Sequence, residues 1–90
     1  MCRNIRTLHN FAPPATHEEV HSAAVQYVRK VAGTTKPAQD NVAVFEQAVA
    51  EVTAATQRLL DGLVAHGAPK DREVEAVKAR ARAAERYARE

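Results

Sequence analysis

From position 16 onward the apolar residues of the chain recur at steps of three and four. Val20, Ala23, Ala24, Tyr27, Val28 and Val31 make the first such set, the period of an amphipathic helix with one face toward a core. Thr16 followed by Glu19 has the Thr-x-x-Glu capping-box form, in which hydroxyl and carboxylate satisfy reciprocal backbone donors. Gly33 supplies a left-handed stop, so a helix is predicted over 17–32. In the second set, Val42, Phe45, Val49, Val52, Thr56, Leu59 and Leu63 alternate the two steps without a break, a heptad-like seam of about three repeats. This predicts the longest helix, over 39–66: Pro37 suits a first turn, Asp40 is a candidate cap, and Gly67 and Pro69 end it. Thr56 is the polar position on that seam and is expected to bond back to its own helix's carbonyls. The third set, Val74, Val77, Ala81, Ala84 and Ala88, draws a narrow stripe over 71–89, with Asp71, Glu73 and Glu75 near the helix's positive end.

Ahead of the helices, residues 1–15 carry Ile5, Leu8 and Phe11 at three-residue spacing before Pro13 and Pro14, which forbid a continuing helix. A short ordered arm packing on the body is expected. No stretch alternates with a strand's period of two, and no internal repeat is found. The pattern predicts an all-α fold, a three-helix antiparallel bundle with an ordered N-terminal arm, occupying 1–90 as one domain.

Composition makes that bundle a thin one. The chain has 90 residues with two Phe, two Tyr and no Trp, and its helical stripes are mostly Ala and Val. A core of this kind barely offsets about 1.5 kcal/mol per residue of ordering entropy. A protein partner or self-association is therefore expected. The apolar runs fall far short of the roughly 18 residues of a spanning helix, and the N-terminus lacks a signal peptide's apolar block. No membrane partner and a cytoplasmic location follow. The single cysteine cannot form an internal disulfide, in keeping with a reducing compartment.

One stretch names a reaction: "THEEVH", residues 16–21, contains His17-Glu18-x-x-His21, the zinc-binding form of many metallopeptidases. Glu46 or Glu51 stands at a tolerable distance for a third ligand. Against this, Thr16 and Glu19 already explain the local sequence as a cap. At about 100° per residue Glu18 falls almost opposite the apolar stripe, facing water, with His21 at the stripe's edge. A string this short arises by chance in roughly one such chain in a hundred, and it is read here as an accident. Cys2, His9, His17 and His21 are the remaining candidate metal ligands, in a spacing that matches no zinc module. No catalytic residue, metal or cofactor is predicted.

Two further features carry chemistry. Removal of Met1 would leave a terminal Cys2 with adjacent amine and thiol, and Arg3 and Arg6 would favour its thiolate. The third helix carries Lys78, Arg80, Arg82, Arg86 and Arg89, preceded by Lys70 and Arg72, a basic set able to contact phosphates. Interleaved Glu73, Glu75, Glu85 and Glu90 make a solvated face the default, and a net charge of +2 is too slight to name nucleic acid.

Across these same segments the chain resembles a bacterial family of small proteins catalogued as domain of unknown function 2277. The resemblance rests on "MCRNIRTL", "PPAT" followed by "EE", "QYVRK" before Gly33, "KP" with Asn41 and Phe45 downstream, "RLLDGL" and "DREVEAVKARAR", and runs almost end to end. It implies no assigned activity, cofactor or catalytic residue. The family pattern does not ask for histidine at 17 and 21, but includes Cys2, Arg3, Asn4, Arg29 and Lys30, which mark a possible shared functional surface. The sequence thus leads to a non-catalytic interaction module, with nucleic-acid association through arm and third helix, and thiol or metal chemistry at Cys2, as alternatives.

Overall fold

A computed structural model describes residues 5–89, the side chain of Arg89 excepted. It is mostly helical: α1 spans His17–Ala32, α2 spans Val42–Gly62 after a 3₁₀ turn at Gln39–Asn41, and α3 spans Arg72–Arg89. Two short strands, β1 (Phe11–Ala12) and β2 (Lys70–Asp71), pair in parallel, Phe11 with Lys70 and Ala12 with Asp71.

Local sequence rules govern the ends of α1. Thr16 Oγ1 accepts from the Glu19 amide at 3.1 Å while Glu19 Oε1 accepts from the Thr16 amide at 2.9 Å, so both halves of the capping box form. At the other end Gly33 takes a left-handed φ of 74° and its amide donates to the Arg29 carbonyl, as a C-terminal glycine stop requires. The other two helices depart slightly from expectation. α2 begins as a 3₁₀ turn in which the Asp40 side chain caps nothing, and it ends at Gly62, not near Gly67. Gly62 itself costs about 1 kcal/mol relative to Ala inside a helix, and beyond it Val64 is largely exposed, with no core to offset that cost. α3 starts at Arg72 because Asp71 Oδ1 accepts from the amides of Glu73 and Val74, the Asp N-cap.

The core lies between α1 and α2. Val28, at the end of α1, packs with Val49 and Phe45 near the start of α2, and Ala24 belongs to the same cluster, so α2 returns along α1 as a helical hairpin. Val20 is fully buried. Thr53 is buried beside the seam, and Thr53 and Thr56 each donate to the carbonyl four residues back at 2.7 Å. Leu59 and Leu63, the last two seam positions, are 57% and 44% exposed. They line an open hollow together with Ile5, Leu8 and His9 of the arm and Ala23 and Tyr27 of α1.

The three expected helices are present, but a bundle would set α3 alongside the other two, and among the described residues α3 has no comparable helix–helix packing. It is tied in through β2 and its first turn, and the molecule measures 45 × 38 × 16 Å. Its stripe has only two residues larger than Ala, and both Val74 and Val77 are at least half exposed. The opposite face, with Arg72, Ala76 and Ala79, turns toward the arm.

Candidate functional site

The hairpin of α1 and α2 leaves an open groove of approximately 1140 Å³ along one side. Its α1 wall rises through His17, His21, Val25 and Arg29, one residue per turn, and its α2 wall carries Glu46, Ala50, Ala54 and Gln57. Phe45, Val49 and Thr53 form the floor between them. The positions follow from helical geometry: each wall residue lies on the flank of its helix's core stripe, so it borders the core without being enclosed by it. Ala50 and Ala54 are exposed, and their small side chains let another backbone come close.

His17 and His21 stack in this groove, ring centroids 6.5 Å apart, while Glu18 is exposed and is not part of the lining. Glu46 lines the same groove but at the connector end, where Thr35, Lys36 and Pro37 also line it. Among the described residues no group of three or more His, Cys, Asp or Glu is placed to hold a metal ion. His9 sits on the arm, against Ala23, Tyr27 and Leu59 on the other side of the hairpin. The structure therefore does not bring His9 together with His17 and His21. Cys2, Arg3 and Asn4 lie outside the described residues. Arg29 and Lys30 occupy the last turn of α1, both exposed, and Arg29 Nε donates to the Thr35 carbonyl at 3.1 Å.

A second constellation joins arm, α1 and α3. Arg72 Nη1 and Nη2 donate to the two carboxylate oxygens of Glu19, each at 2.9 Å, and Arg72 Nε donates to the Pro13 carbonyl at 2.7 Å. Arg6 adds a third contact to Glu19 at 3.0 Å. The bidentate Arg72 fork first, then the Thr16 amide and Arg6, pull the Glu19 carboxyl down from an ordinary 4.5 to about 2 against a smaller opposing effect of burial. Glu19 in turn raises Arg72 above its usual range. Lys70 and Arg72 both stand over the Phe11 ring, 5.8 Å from its centroid. Asn10, in a left-handed conformation with φ 61°, accepts from the Lys70 amide and donates to the carbonyls of Gly67 and Ala68. Around this clamp Arg6, Lys70, Arg72 and Arg82 face one shallow hollow, with Glu19 and Glu75 among them.

Residues 1–78 match the family described as uncharacterized conserved protein, DUF2277. The chain belongs to that family. No curated protein and no solved structure matches it. The matched span takes in the arm, both walls of the groove and the whole Glu19–Arg72 clamp, and stops at Lys78, inside α3. The groove and clamp thus fall within the DUF2277 region, whereas Arg80, Arg82, Arg86 and Arg89 fall beyond it.

The sequence pattern alone singled out neither Ala50 and Ala54 as a groove wall nor Glu19 as the centre of a clamp. The alanines carry a signal in being small and one turn apart beside an apolar seam. For Glu19 the local cap explains the residue fully, and nothing nearby announces its distant partner.

Proposed function

We propose that this DUF2277 protein is a cytoplasmic, non-catalytic interaction module, working without metal or cofactor, whose α1–α2 groove receives a helical surface of a protein partner. The observation that carries the reading is the groove itself: an apolar floor of Phe45 and Val49, an alanine wall on α2, and charged or imidazole groups at the margins. Apolar centre and polar rim is the anatomy of a protein-binding patch. Helix-in-groove docking uses contacts one turn apart, the spacing of Ala50 with Ala54 and of His17 with His21. A groove open along its length is poorly suited to catalysis, which needs water excluded from the reacting atoms.

The test compares two charged substitutions on exposed alanines of α2. Ala54→Glu puts a carboxylate in the groove, and Ala55→Glu puts one outside its lining. Both should keep the parent's helical content. In extracts of the native host the parent should elute as an assembly larger than a monomer, Ala54→Glu should shift to monomer, and Ala55→Glu should not. A monomeric parent, or equal behaviour of the two variants, overturns the reading.

A second reading is association with nucleic acid through arm and third helix. It is favoured by the convergence of Arg6 with Lys70, Arg72 and Arg82 on one hollow. Glu19 neutralises two of these four, which ranks it below the groove.

A further inference from the structure

We infer that the occupant of the α1–α2 groove is a second copy of this chain, related by a two-fold axis parallel to the helices; the inference rests on the interaction-module reading and names its partner. Three observations lead there. First, α1 and α2 pack on each other as one layer of two helices, and among the described residues α3 has no comparable packing along them. Stable domains are built from two packed layers, and among the described residues just Val20, Ala24, Val28 and Val49 are buried apolar side chains. Pairing two hairpins across their grooves supplies the missing layer.

Second, the groove is complementary to itself. A two-fold contact uses the same patch on both copies, so cation and carboxylate on that one patch can meet across the axis. Arg29 stands in the last turn of α1, Lys36 on the connector and Glu46 in the second turn of α2, so the two cations and the carboxylate share the connector end of the groove. Among the described residues none of the three is in an ion pair. Rotation about an axis parallel to the helices lays α1 on the partner's α2 and brings Arg29 to the partner's Glu46, twice by symmetry. Third, the alternative axis, across the helices, would lay α1 on α1 and α2 on α2, carrying Arg29 to the partner's His17 and the partner's His21 and Glu46 to the partner's Ala54 and the partner's Gln57, so neither would meet an opposite charge. The distribution of charge selects the first axis.

Sedimentation equilibrium of the full chain tests this. The parent should be dimeric. Arg29→Glu and Glu46→Arg should each weaken the dimer by about tenfold or more, because each reversal sets like charges together at both symmetric contacts. An equimolar mixture of the two variants should recover parental affinity. In the mixed dimer the carboxylate introduced by Arg29→Glu on one chain meets the guanidinium introduced by Glu46→Arg on the other, and the two unaltered side chains, Arg29 and Glu46, meet at the second contact. Recovery on mixing cannot come from contacts within one chain. If a reversal fails to fold, disulfide formation between Val25→Cys and Ala50→Cys chains on mixing, in a Cys2→Ser background, replaces it. A monomeric parent, reversals without effect, a mixture that does not recover, or failure of the cysteine pair overturns the second copy. Should the purified parent be monomeric while Ala54→Glu still dissolves a larger assembly in host extract, the second copy fails and the interaction module stands. If neither assembly exists, both fail.

Discussion

Arg72 grips Glu19 with both terminal guanidinium nitrogens, two hydrogen bonds of 2.9 Å spanning 53 positions of sequence. The same carboxylate completes the cap of α1 through the Thr16 amide. One side chain therefore fixes the start of the first helix and the start of the third, with the side chain of Arg6 laid across the joint.

The clamp makes stability depend on pH in a defined window. Glu19 has its carboxyl lowered from 4.5 to about 2 in the folded protein, so between those values the unfolded chain binds the proton and the folded chain does not. Stability from this group is complete above about pH 4.5, and it is lost as pH falls toward 2. Denaturant melts between pH 2 and 5 should show this decline. Glu19→Gln should be less stable than the parent at neutral pH, with the gap closing as the pH approaches 2.

Arg72→Lys keeps the charge but not the planar fork. Hydrogen exchange should speed up for amides in β2 and the first turn of α3, while those of Val20 to Val28 in the core of α1 stay protected. Uniform loss of protection would mean that the clamp supports the hairpin itself.

The string at residues 17–21 predicts opposite rankings for a cap and for a zinc site. Thr16→Ala should cost about 0.5–2 kcal/mol through loss of the cap. Glu18→Gln should change stability by only about 0.3 kcal/mol, the worth of an exposed acid in a first turn. Thermal melts of both, with zinc and with chelator, should coincide in pairs. Zinc-dependent peptide cleavage that vanishes in Glu18→Gln would contradict the reading.

Features encoded within a few residues were legible in the sequence, and features encoded across the chain were not. Thr16, Glu19 and Gly33 each satisfy backbone groups of their own helix, so their roles follow from spacing alone. The buried line of Val20, Ala24, Val28 and Val49 follows from the helical period. Leu59 and Leu63 share that period yet stay exposed, because they face the arm and Ala23 and Tyr27 of α1 across an open hollow that those residues do not fill. The pairing of Phe11 with Lys70 is too short to impose any alternation. Nor could the direction of α3 be read: its apolar stripe invites a bundle, but the Arg72 fork and the strand pair fix its first turn against the arm. The groove needed the hairpin first, since Arg29 and Glu46 come to share its connector end only when α2 folds back.

For nucleic acid the discriminating quantity is the salt slope. If Arg6, Lys70 and Arg82 contact phosphates, affinity for duplex should fall steeply between about 50 and 200 mM salt, and reversal of Arg80 and Arg82 should flatten the slope. No binding at low salt would remove this second reading.

The claim that the α1–α2 groove is where this protein meets its partner is tested most directly by photo-crosslinking in the native host. A photoreactive residue in place of Ala50, on the groove wall, should give a discrete covalent protein adduct, and the same residue in place of Ala55 should not. A ladder common to both positions, or no adduct from Ala50, would contradict the account.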